Sequence, residues 1–199
     1  MKVLAIYIEP APYILDLIQT LTDRHTDLEL QVLFITASAS QPWGDMPNDE
    51  SLEMLPSEPK AARARMRTIL QEHKFDWLHL AGWGHPLLKA ALRLGRTAGL
   101  RTSMESDTQP PFSEPALKRW LKAAFYPRMF RAVDCFFPGG SRQKYYLQHF
   151  GIPEEKIRVA QMTVDVDRIA AMAAEIRKRR KTIRSAINVG DAETLFVYV

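Results

Sequence analysis

Four short stretches of the sequence put hydrogen-bonding or ionisable side chains next to turn-forming residues. The first is Phe137-Pro138-Gly139-Gly140-Ser141, with Lys144 three residues on. Glycines after an apolar run let the backbone bend tightly, and a helix starting there presents free amide groups that can hold an anion. Gly140, Ser141 and Lys144 are therefore candidates for the phosphate side of a binding cleft. The plainer reading of the same residues is a turn with Ser141 as helix N-cap. The second stretch is Glu105-Ser106-Asp107. If it stays extended, Glu105 and Asp107 project to one side, because strand side chains repeat every two residues. Such carboxylates can orient hydroxyl groups or supply a base, and they can equally be a capping and turn cluster. The third, Gly82-Trp83-Gly84-His85, offers an aromatic ring and an imidazole on a glycine-loosened loop, a pair suited to stacking on and hydrogen-bonding a ligand. The fourth is Glu9 with Tyr13 around a turn holding Pro10 and Pro12, where solvated turn residues are the alternative.

Each stretch sits just after a segment that reads as a strand. Residues 2–8, 28–35, 76–80, 101–104 and 133–137 are short apolar runs of the kind buried in parallel sheets. Between them, residues 13–24, 60–73, 87–98 and 115–132 carry apolar positions at helical spacing, and a further helix opens near Ser141. Alternating strands and helices predict an α/β fold with a Rossmann-like, doubly wound parallel sheet in three layers, α/β/α. Ligands of such sheets bind at the carboxyl ends of the strands, which is where all four stretches fall. Residues 36–59 show no period and read as a long surface loop. His79 reads as a hydrogen-bonded structural histidine pointing into or behind the sheet. A short strand is expected over 157–160, a long helix after Asp167, and a buried parallel-type strand over 195–199.

The chain has 199 residues, 46% of them hydrophobic and 25% charged, a composition of soluble globular proteins. No apolar run approaches the ~18 residues of a membrane span, and the first apolar run is stopped by Glu9 and Pro10, so no signal peptide is read. The expected location is cytoplasmic. One cysteine, Cys135, excludes an intramolecular disulfide and a Cys-x-x-Cys metal site, and it reads as a core thiol. The net charge of +4 implies mild attraction to anionic partners. Two segments concentrate that charge. Residues 115–132 form a basic amphipathic helix with Trp120 and Phe125, bent at Pro127; it suits either an anionic membrane face or packing on the sheet. Arg177 to Arg184 hold six cations within eight residues, but with no interleaved aromatic platform, so no nucleic-acid partner is expected.

The segment Gly140-Ser141, Lys144-Tyr145-Tyr146-Leu147, Gly151-Ile152-Pro153-Glu154-Glu155-Lys156-Ile157-Arg158-Val159, then Val164-Asp165-x-Asp167-Arg168 resembles the end of the N-terminal domain of family 4 glycosyltransferases. The Pro10 to Tyr13 turn resembles one branch of that family, as does the run Asp76-x-x-His79-x-x-Gly82. The resemblance implies a retaining GT-B enzyme of hexosyltransferase type that moves a sugar from a nucleotide-sugar donor to a glycan or lipid-linked acceptor. It implies no cofactor and no metal. It divides the chain into an acceptor-side domain, 1–165, and a linker helix with the first strand of a donor-binding domain, 166–199, whose remainder would be the missing partner. The fragment alone would be inactive. Under this resemblance Glu9, Tyr13, Trp83, His85 and Ser106 are acceptor-binding, and Glu105 and Asp107 are catalytic; Glu105 stands where the family often carries a histidine. It also implies that the helix at 115–132 contacts the inner membrane face. The competing expectation is a stand-alone Rossmann-like nucleotide- or anion-binding module.

Overall fold

A computed structural model of the protein describes residues 1–39, 46–111, 113, 115–160 and 164–197. The chain divides between residues 162 and 163 into two units. In the first, β1 (Lys2–Tyr7), β2 (Glu29–Phe34), β3 (Leu52–Met54), β4 (Trp77–Leu80), β5 (Arg101–Ser106) and β6 (Cys135–Pro138) form one sheet in the order β3-β2-β1-β4-β5-β6. Every pairing is parallel. The chain winds outward from β1 to β3, then returns to lay β4 on the other side of β1. That reversal makes the carboxyl ends of β1 and β4 the switch point, where α/β sheets bind ligands.

Among the described residues five α-helices accompany the sheet: α1 (Pro12–Arg24), α2 (Pro59–Glu72), α3 (Pro86–Thr97), α4 (Ala116–Phe130) and α5 (Ser141–His149). The first three open with proline, whose missing N–H would be unpaired in a first turn anyway. Alternation along the strands sends side chains to two apolar layers. On one face Leu4, Ile6, Leu33, Leu78, Leu80, Met104 and Phe136 pack with Met66 and Ile69 of α2, Leu88 of α3, Phe130 of α4 and Leu147 of α5. On the other, Ala5, Tyr7, Val32 and Phe34 pack with Ile14 and Ile18 of α1. The architecture is the expected three-layer, doubly wound α/β fold.

Three local expectations change. The loop over 36–59 contains β3, which adds to the edge at β2 through pairs such as Leu33↔Glu53. Residues 157–160 make only a bridge, Phe136↔Ile157, plus a bond from the Ala160 amide to the Pro138 carbonyl. In the second unit the basic helix is broken at Arg179 into α6 (Val166–Lys178) and α7 (Arg180–Ala186). Asp165 caps α6, its carboxylate accepting from the Arg168 amide at 2.9 Å. Leu195, Phe196 and Val197 form no strand and are exposed; Tyr198 and Val199 lie outside the described residues.

Candidate functional site

The carboxyl ends of β1, β4, β5 and β6 converge on one rim. Gly139 donates its amide to the Ser106 carbonyl at 2.9 Å, and the Gln143 side chain donates to the Asp107 carbonyl at 3.3 Å, tying the turn before α5 to the end of β5. Gly82, after β4, has φ +87°, and a Cβ there would lie 3.7 Å from the Glu105 carbonyl. Across the switch point, Tyr13 in the first turn of α1 is half-buried, and its phenol is raised above its ordinary value. Burial is the first cause, followed by the negative charges of Glu9, Glu105 and Asp107. The charges of three carboxylates read from two separate stretches are thus felt at one phenol.

Glu105 is the most constrained of them. Its Oε1 accepts from the Tyr7 hydroxyl at 3.4 Å and pairs with His79 Nε2 at 3.2 Å. Tyr7 is buried, and its phenol is raised, first by burial and then by the charge and hydrogen bond of Glu105. The other ring nitrogen of His79, Nδ1, lies 2.8 Å from Ser103 Oγ, which accepts from Trp77 Nε1 at 2.7 Å. The Glu105 side chain keeps 32% of its surface exposed, against 15% for His79. Tyr7, Trp77 and Ser103 were not legible as site residues; the one available signal was the polar parity His79, Ser103, Glu105 on two strands that turn out to be neighbours.

Other expected site residues have different work. Trp83 is 5% exposed and meets Phe130 edge-on at 4.8 Å and Tyr126 at 6.0 Å, so it belongs to the core and offers no stacking face. Ser106 is buried and its Oγ has no hydrogen-bond partner among the described residues; β5 runs two residues past its expected end and turns this side chain to the apolar face. His85 caps α3, its Nδ1 accepting from the Leu87 amide at 3.2 Å. Glu9 Oε2 accepts from the Ala39 amide at 2.6 Å, which anchors the segment after β2. Gly140, not Ser141, is the N-cap of α5, in extended backbone, and no side chain caps that helix; Ser141 is its exposed first residue. Lys144 reaches Glu154 at 2.6 Å and holds that carboxyl below its usual range. Cys135 is half-buried with its thiol pushed up, chiefly by burial, so it is no thiolate nucleophile. Among the described residues no three His, Cys, Asp or Glu are grouped to hold a metal ion.

Comparison with known sequences decides the family. Residues 13–168 match the profile of Glycosyltransferase Family 4. The chain belongs to that family. No curated protein matches it. Among solved structures it is similar to the UDP-GlcNAc 2-epimerase of Neisseria meningitidis bound to UDP-GlcNAc, with TM-score 0.59 and 15% identity over 98% of this chain and 55% of that one. The UDP-GlcNAc 2-epimerase of Methanocaldococcus jannaschii gives TM-score 0.55 and 14% identity over 94% and 52%. An Anabaena protein solved in complex with UDP and glucose gives 0.56 and 11% over 84% and 46%. At these identities the likeness is one of fold, and this family 4 chain spans about half the length of those structures. The sheet and its helices thus correspond to one Rossmann-like half of a GT-B architecture.

Proposed function

We propose that this chain is the acceptor-side domain of a retaining glycosyltransferase that moves a sugar from a nucleotide-sugar donor to an acceptor hydroxyl, and that it is inactive without a donor-binding domain. The observation that carries the reading is Glu105, a half-buried carboxylate at the end of β5 that is held by His79 and Tyr7 beside the switch point of a family 4 sheet. Glu105 accepts a hydrogen bond from the attacking hydroxyl and orients it. Asp107, Glu9 and Tyr13 line the same rim and bind the acceptor's remaining hydroxyls. His85 has its Nε2 left for the acceptor after capping α3 with Nδ1. The uncapped amides at Gly140 and Ser141 border the rim on the donor's phosphate side. In this scheme the bond from the anomeric carbon to the nucleoside diphosphate breaks, the acceptor oxygen bonds to that carbon from the same face, and the hydroxyl proton passes to the departing diphosphate oxygen. This half contributes positioning and exclusion of water, which can supply several kcal/mol of a barrier, about 7–11 at best. No metal is assigned to the reaction. The test is Glu105→Gln in a protein carrying both domains: kcat/KM for the acceptor falls on the order of 100-fold while donor binding is unchanged. An unaltered acceptor kcat/KM ends this assignment of Glu105.

The protein is further proposed to sit in the cytoplasm against the inner membrane face. Leu117, Trp120 and Phe125 of α4 are 70%, 67% and 65% exposed, beside Lys118, Arg119 and Lys122 and with no acidic residue in the helix. Those apolar side chains stand apart from Tyr126, Met129 and Phe130, through which the C-terminal half of α4 packs on the core. No described helix is long and apolar enough to cross a membrane, so the contact would be interfacial.

A further inference from the structure

We infer that His79 is a positioning residue: it clamps Glu105 by one carboxylate oxygen so that the other is presented to the acceptor. The inference rests on the transferase reading above for its purpose, and on hydrogen-bond geometry for its substance.

The strand register builds the clamp. His79 lies directly across from Ser103 on β5 and from Ala5 on β1, so Glu105 and Tyr7 are its diagonal neighbours two residues further along. Proton bookkeeping then fixes the chain of bonds. A carboxylate only accepts, so both Tyr7 O–H and His79 Nε2–H must donate to Glu105 Oε1. A neutral ring carrying its hydrogen on Nε2 has a lone pair on Nδ1, and Ser103 O–H donates to it at 2.8 Å. Ser103 Oγ in turn accepts from Trp77 Nε1 at 2.7 Å. Every donor has an acceptor along the path Trp77, Ser103, His79, Glu105. The opposite tautomer would set two lone pairs against each other at 3.2 Å.

Both bonds to the Glu105 carboxylate end on Oε1. Among the described residues Oε2 has no hydrogen-bond partner, and the side chain is 32% exposed at the rim. A carboxylate pinned at one oxygen and open at the other is a directed acceptor for a single hydroxyl. A misplacement of about 1 Å in such a group can cost on the order of 100-fold in rate.

Two measurements separate the clamp from the reading it serves. The first is the two-bond ¹H–¹⁵N spectrum of the 199-residue chain labelled in histidine, at neutral pH. The clamp requires one Nε2–H tautomer at His79, lost to tautomeric averaging in Glu105→Leu. An Nδ1–H ring, or averaging already in the wild type, overturns it. The second uses a protein carrying both domains, with UDP-glucose or UDP-N-acetylglucosamine as donor. His79→Leu lowers acceptor kcat/KM on the order of 10- to 100-fold with donor KM unchanged, and His79→Gln, which keeps a donor near the Nε2 position, recovers most of it. Equal losses in both variants that track their melting temperatures overturn the positioning role. If the wild type transfers no sugar at all, the transferase reading falls and the clamp is decided by the spectra alone.

Discussion

Replacing Trp83 by alanine separates the core role seen here from the ligand-stacking role that its Gly-Trp-Gly setting suggests. The ring is 5% exposed, edge-on to Phe130 at 4.8 Å and to Tyr126 at 6.0 Å, and both of those rings contact Phe150. Truncating a buried aromatic to alanine costs about 3–5 kcal/mol, of which each aromatic pair accounts for about 0.5–1.5. For a chain of this size that corresponds to a fall in Tm of roughly 6–20 °C. Trp83→Phe keeps an edge-to-face partner for Phe130 and should lose markedly less, about 1–2 kcal/mol. Urea unfolding followed by far-ultraviolet circular dichroism reads both variants without relying on the tryptophan signal. A loss below about 1 kcal/mol for Trp83→Ala, with an unchanged slope, would refute the core assignment.

Three further outcomes are expected. Gly95→Ala places a Cβ 2.5 Å from Cδ2 of the fully buried Leu78, so overpacking of about 1–3 kcal/mol outweighs the gain of about 1 in helix propensity, and urea unfolding should show a net loss; a stabilised variant contradicts the packing. The Tyr7 phenol is raised above its ordinary 10.0, so the folded chain holds a proton that the unfolded chain releases; stability is full below pH ~10 and falls above it. Tyr7→Phe should flatten that alkaline fall while changing neutral stability by less than about 1 kcal/mol, and an equally steep fall in Tyr7→Phe contradicts the assignment. The wild type should co-sediment at low salt with vesicles rich in phosphatidylglycerol, and Trp120→Ser with Phe125→Ser should abolish this; equal sedimentation of both, or none by the wild type, contradicts the interfacial role of α4.

The order of elements was readable because each buried strand is a short apolar run set off by turns, and each helix carries its own period. β3 was not, since Leu52–Met54 has three residues and takes its conformation from pairing with β2. The site was half readable for a related reason. That Glu9, Tyr13, Glu105 and Asp107 fall at strand ends follows from local sequence, and their convergence follows from the sheet order. What holds Glu105 does not: Tyr7 and His79 lie 98 and 26 residues away, and only the register of three parallel strands brings them together. Trp83 misled because flexible glycines flank it, while its burial is supplied by α4 from elsewhere in the chain. Ser106 misled by one step of parity: continuation of β5 to Ser106 turns alternate residues toward opposite faces, so Glu105 reaches the rim and Ser106 the core. The apolar residues of α4 suited either packing or a membrane face; Tyr126, Met129 and Phe130 pack on the core, while Leu117, Trp120 and Phe125 are exposed.

The rim around Glu105 is proposed to receive an acceptor for sugar transfer. This proposal is tested most directly by giving a protein with both domains a ¹³C-labelled UDP-α-glucose or UDP-α-N-acetylglucosamine and a panel of hexose and lipid-linked diphosphate acceptors, and following the anomeric carbon by NMR. The account predicts an α-linked product formed only when acceptor is present, with Glu105→Leu abolishing it. A β-linked product, or conversion of the UDP-sugar that needs no acceptor and survives Glu105→Leu, would contradict it.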